Sequence, residues 1–125
     1  MNEIIAWSLC VIFGLLAVFQ AALAGGAPLG HFAWGGQHRV LPRHLRIGSV
    51  VSIATYGLFA AIALEKARVV NLFGNQTFID VMVWILVGYF ALGILLNGLS
   101  RSKPERYTMT PLLILLTGLY LILAI

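Results

Sequence analysis

Four apolar runs without a charged residue constrain this chain most: Ile4 to Leu23, Ile47 to Leu64, Val81 to Leu99 and Tyr107 to Ile125. Each is 18 to 20 residues long. A bilayer core about 30 Å thick is crossed by about 20 apolar residues in a helix, so each run is predicted to span a membrane rather than to lie buried in a soluble core. In a chain of 125 residues these runs leave no space for a separate soluble domain. The expected fold is all-α: one four-helix transmembrane domain over residues 1–125, with spans about 4–23, 47–64, 81–99 and 107–125.

Charge fits the same reading. Only 10% of residues are charged, against about 25% in ordinary soluble proteins. The formal net charge is +4, but the basic residues fall between the apolar runs, where topology and anionic headgroups account for them. No segment resembles a base-reading module, so nucleic acid is not an expected partner. The lipid bilayer is. The single cysteine, Cys10, lies inside the first run and excludes an intrachain disulfide or a paired-thiol mechanism.

Basic residues also predict orientation. Arg39, Arg43 and Arg46 in the first loop and Arg101, Lys103 and Arg106 in the third outnumber Lys66 and Arg68 in the second. Loops 1 and 3 are therefore expected in the cytoplasm and both termini outside, in a bacterial inner membrane. Ala22-Leu23-Ala24 has the small-x-small form of a signal-peptide cleavage site, but Met1-Asn2-Glu3 offers an acid where such a peptide carries a base. An uncleaved anchor is expected. The sequon Asn75-Gln76-Thr77 is accidental in a bacterial protein.

Small residues predict how the spans pack, since helices in lipid associate where backbones can approach. Ala17, Ala21 and Gly25 in span one, Gly48, Ser52, Ala54, Gly57 and Ala61 in span two, and Gly88, Gly93 and Gly98 in span three supply them. Span four has Gly118 alone and is expected to be the most lipid-exposed. Thr110-Pro111 reads as an N-cap followed by proline at the first helical position, which shortens span four to 16 residues. Ser102-x-x-Glu105 and Thr77-x-x-Asp80 match capping boxes. Trp7 and Tyr107 suit the aromatic belt, and Trp84 suits either the belt or packing.

The loop from Gly25 to Arg46, GGAPLGHFAWGGQHRVLPRHLR, is where function is expected. It holds all three histidines, five glycines and three arginines, and at about 22 residues it is long for a helix–helix connection. Leu29, Phe32, Trp34, Val40 and Leu41 are too apolar for water, so the loop is expected to be interfacial or partly re-entrant. A helix from Leu29 to His38 would set His31, Trp34 and His38 on one side. The candidate ligand or lipid-headgroup residues are His31, Trp34, Gln37, His38, Arg39, Arg43 and Arg46, with arginines and glycine amides suited to a phosphate.

Two polar residues interrupt the spans near the same end, Gln20 and Asn97. Asn97 is expected to bond to a neighbouring helix. The leading expectation is a small non-enzymatic membrane protein that contacts anionic lipid, a membrane partner or a second copy through loop 25–46. The alternative is a small transporter or channel with a polar pocket made by Gln20, His31, His38 and Asn97. No catalytic constellation, metal ligand set or cofactor motif is found, and two imidazoles without a thiolate or carboxylate in the loop make a poor metal site.

Known small four-span families differ at their defining residues. Small multidrug transporters rest on a glutamate within the first span, where this chain has none; thiol oxidoreductases need paired cysteines; small fluoride channels have a Phe/Thr-rich filter absent here. His44-Leu45-Arg46-Ile47-Gly48 looks like the start of small flippase-like proteins for lipid-linked sugars, over too few residues to transfer any site residue.

Overall fold

A computed structural model describes residues 2–33, 36, 38–99 and 102–125, apart from the side chain of His31. These residues form four helices, α1 (Asn2–Ala24), α2 (Arg43–Lys66), α3 (Gln76–Gly98) and α4 (Lys103–Ala124), all long and apolar enough to cross a membrane. Each of the last three begins four or five residues before its apolar run, because the helix continues into polar residues that cap it.

The helix ends follow from local chemistry. After α1, Gly26 takes φ of 95° while its N–H bonds to Leu23 and that of Ala27 to Ala22, closing a Schellman motif. Helix α2 ends the same way with Arg68 in the left-handed position, at φ of 64°. Asn75 caps α3 by accepting from the Phe78 N–H at 3.0 Å. The box expected at Thr77 is thereby displaced by two residues, and Asp80 instead pairs with Lys66 across the α2–α3 connection. Buried Glu65 holds the same connection, since its Oε1 accepts the backbone N–H groups of Leu72 and Phe73.

Helix α4 corrects two expectations. It starts at Lys103 under a Ser102 cap, with Pro104 in the first turn, and Pro111 lies within the helix. The Ser102…Glu105 box starts the helix one run of eight residues before Thr110-Pro111, and Pro111 removes only one backbone donor. Nor is α4 the most peripheral helix. It packs along α3 over most of its length and buries Leu116, Tyr120 and Leu123. The small residues that permit this belong to α3: a Cβ on Gly93 would lie 3.3 Å from Leu113 Cδ1, and one on Gly98 would lie 4.0 Å from the Thr110 methyl.

The chain thus folds as two tight hairpins, α1–α2 and α3–α4, with sparser contact between α2 and α3. Phe13 joins them: its ring lies 5.7 Å from Tyr56, 5.9 Å from Phe59, 6.1 Å from Phe90 and 6.3 Å from Tyr120. Tyr120 also donates its hydroxyl to the Phe59 carbonyl at 2.6 Å. Leu9, Ile62, Ala63, Ile79, Val83, Leu116 and Leu123 fill the bundle on the side of the chain termini and the α2–α3 connection. Outward faces stay apolar, with Trp7, Val11, Leu15, Val18, Trp84, Ile85 and Ile114 more than half exposed. Trp84 therefore faces outward rather than packing.

Gly88 and Gly93 offer a controlled test of the α3–α4 contact, since a Cβ on Gly88 meets nothing within 4 Å. Gly93→Leu is expected to overpack the interface and cost about 1–3 kcal/mol, read as a lower melting temperature in detergent. Gly88→Leu is expected to melt like the wild type.

Candidate functional site

Loop 1 is shaped by close backbone approach rather than by a helix. The Gly30 N–H donates to the Arg39 carbonyl at 2.8 Å, and a Cβ on Gly30 would fall 1.9 Å from the His38 carbonyl oxygen. Only glycine fits at this neck. Among its described residues the loop makes a 3₁₀ turn, Gly30–Phe32, after which Ala33 is extended. A continuous helix from Leu29 to His38, which would have set His31, Trp34 and His38 on one side, does not form: Gly36 takes φ of 71°, a left-handed position that interrupts a helix. His38 is exposed, and Trp34, Gln37 and the side chain of His31 lie outside the described residues.

The arginines separate into two roles. Arg46 turns inward: its Nε donates to the Leu41 carbonyl at 2.8 Å, and its guanidinium lies over Gly26, where a Cβ would come within 3.1 Å of Nη2. It ties the end of the loop to the end of α1. Arg39 and Arg43 are exposed beside His38 and His44. The guanidinium of Arg106 lies over the Tyr107 ring, 4.8 Å from its centre.

Beneath loop 1 the bundle holds a cavity of about 390 Å³. Phe32 and Ala33 of the loop cover it, and Phe13, Phe59, Phe90 and Leu116 close it toward the packed half. The ring of Phe32 meets Phe19 edge-on at 6.5 Å, which fastens this cover to α1. Tyr89, Leu92 and Leu96 line the cavity while remaining more than half exposed, so it reaches the outer surface of the bundle along α3.

Its polar groups come from all four helices. Gln20 is 7% exposed; its Nε2 donates to the Tyr56 hydroxyl at 3.3 Å, and its Oε1 is buried without a hydrogen-bond partner. Asn97 lines the same space but donates Nδ2 to the Gly93 carbonyl of its own helix, not to a neighbouring helix as expected. Ser52 and Thr55 likewise donate to Gly48 and Val51 within α2. Glu105, only 6% exposed, adds a carboxylate to the wall.

Gln20 and Asn97 line the same cavity, whereas exposed His38 is not among the lining residues. Glu105 and Tyr56 were not anticipated. Glu105 has a double position: its backbone N–H receives the Ser102 cap while its side chain faces inward. Glu105, Met109, Leu112 and Leu116, at i, i+4, i+7 and i+11, all line the cavity, a helical face readable once α4 is started at Lys103. Among the described residues, no cluster of three or more His, Cys, Asp or Glu side chains could hold a metal ion.

No family model, curated protein or solved structure matches the chain.

Gly30→Ala is expected to break the neck of loop 1, because the new Cβ would strike backbone rather than a movable side chain. Limited trypsin digestion in detergent checks this: cleavage after Arg39 and Arg43 should accelerate strongly. An unchanged digestion rate would show that the loop tolerates a side chain at this position.

Proposed function

We propose that this chain is a multi-pass protein of a bacterial inner membrane that binds a small lipophilic molecule in the cavity beneath loop 1. The observation that supports this best is Gln20 Oε1, a buried amide oxygen left without a partner in a cavity of about 390 Å³. Leaving such a group unsatisfied costs about 1–3 kcal/mol, a cost that a bound donor removes. The volume falls within the range of about 300–1,000 Å³ typical of small-molecule sites. The apolar outward faces of α1, α3 and α4 suit contact with acyl chains, and exposed Tyr89, Leu92 and Leu96 give a lateral route from the bilayer. With one carboxylate and no nucleophile–base pair among the described lining residues, the role is binding or transport rather than catalysis. Loops 1 and 3 face the cytoplasm in this reading.

Solvent extraction of protein purified in mild detergent, followed by mass spectrometry, tests the proposal. Wild type is expected to retain a lipophilic compound that Ser52→Phe, which fills the cavity from α2, loses. Equal recovery from both would count against the cavity as the binding site.

A second reading is favoured by the exposure of Arg39, Arg43, His38, His44 and Lys103 near the same end of the bundle. This surface contacts anionic headgroups. Arg39→Gln with Arg43→Gln is expected to weaken binding to anionic liposomes, whereas Arg46→Gln is expected to lower stability, since Arg46 holds the loop from inside. Unchanged liposome binding by the folded double variant would remove this role.

A further inference from the structure

The bond between Gln20 and Tyr56 leaves one free group of each kind. Gln20 gives an Nε2 hydrogen to the Tyr56 oxygen at 3.3 Å, so its Oε1, buried and unpartnered, still lacks a donor. Tyr56, which accepts in that bond, keeps its own O–H to give. The rest of the polar wall is mixed in the same way. Gln20 and Asn97 each have a second amide N–H, Asn97 retains its oxygen, and the Tyr89 hydroxyl can act in either sense. Ser52 and Thr55, which donate to Gly48 and Val51, retain lone pairs. Charge is not on offer: no Lys, Arg or His stands among the described lining residues, and Glu105 is already engaged within the chain.

We infer that the cavity binds an uncharged lipophilic alcohol, an apolar body ending in a hydroxyl, taken up from the bilayer. This rests on the ligand-binding reading of the cavity and specifies its ligand. The free acceptor and the free donor belong to one hydrogen-bonded pair, so a single hydroxyl answers both: it donates to Gln20 Oε1 while its oxygen accepts from Tyr56. An ether or ester supplies the acceptor alone and leaves Gln20 Oε1 unsatisfied. A charged head, amine or carboxylate, would leave water for a wall with no free counter-charge, and an unpaired charge is the costlier group to bury. Water would bridge the same two groups. An alcohol adds the burial of its body against Phe13, Leu16, Phe59 and Phe90, and exposed Leu92 and Leu96 give that body its way in from the bilayer.

Dodecanol, dodecyl methyl ether, dodecylamine and dodecanoate, which share a chain and differ in the head, are the probes. The protein in phosphatidylcholine nanodiscs is titrated with each at matched mole fractions in the bilayer, and apparent Kd is read from the thermal shift. The cavity-filled Ser52→Phe is the reference that cancels the effect of each probe on the bilayer itself. Dodecanol is expected to bind about tenfold more tightly than the ether, the scale of a buried acceptor left unmade, and more tightly than either charged probe. Gln20→Leu is expected to bring alcohol and ether to within about twofold of each other. Because a variant of a buried residue can fail to fold, Tyr56→Phe serves beside it: the ring that stacks on Phe13 is kept, and dodecanol should weaken several-fold.

Ether binding as tightly as dodecanol in the wild type, or either charged probe binding more tightly, would overturn the alcohol assignment and leave the cavity a ligand site. Dodecanol binding untouched by both Gln20→Leu and Tyr56→Phe would overturn it too. If no probe shifts the wild type differently from Ser52→Phe, the ligand-binding reading itself fails, and this inference with it.

Discussion

The structure depends on one junction, the packing of Phe13 against rings from the other three helices. Each hairpin is internally complete, because α1 lies along α2 and α3 along α4. What fixes one hairpin on the other is Phe13 set among Tyr56, Phe59, Phe90 and Tyr120, with Phe90 stacked on Tyr120 at 5.6 Å. Tilted and offset rings at these separations gain about 0.5–1.5 kcal/mol per pair beyond burial. The Tyr120 hydroxyl reinforces the junction by reaching the Phe59 carbonyl across the bundle. Without that bond, a phenol would be buried with no acceptor.

The position of this junction determines where space remains. Below it, buried residues recur on each helix, from Ile5, Ala6 and Leu9 of α1 to Leu116, Tyr120 and Leu123 of α4. Above it, α2 presents Ser52 and Thr55 and α3 presents Gly93 and Asn97, side chains too small to meet across the gap between the hairpins. Loop 1 closes the open end with Phe32 and Ala33 instead of letting the helices collapse together. The neck at Gly30 and the inward Arg46 are what keep that cover in place. A loop rich in glycine is therefore held by tertiary contacts, not left loose.

How much of this was legible in the sequence depended on the range of the interaction. Charge-free runs reveal four helices long enough to cross a membrane, because that signal is local and repeated. The start of α4 was hidden by two competing signals, Ser102…Glu105 and Thr110-Pro111, and the proline was overweighted. Gln20 and Asn97 stood out as polar residues in apolar runs, and both line the cavity. Glu105 did not, because a residue that satisfies a capping pattern already has a local explanation. Glu65, at the edge of its apolar run, gave no pattern at all; it acts through the N–H groups of Leu72 and Phe73, seven and eight residues away. The neck at Gly30 depends on a contact with His38 and Arg39 that no periodicity encodes.

Charge is segregated with depth at the loop end, and this gives the two candidate surfaces different tasks. Arg39 and Arg43 lie outside, exposed, where a guanidinium costs little and can meet anionic headgroups. Glu105 lies inside, where a carboxylate is expensive to bury unless its surroundings compensate. What insertion alone does not explain is Gln20 Oε1, buried without a hydrogen-bond partner in a cavity that Phe32 and Ala33 cover.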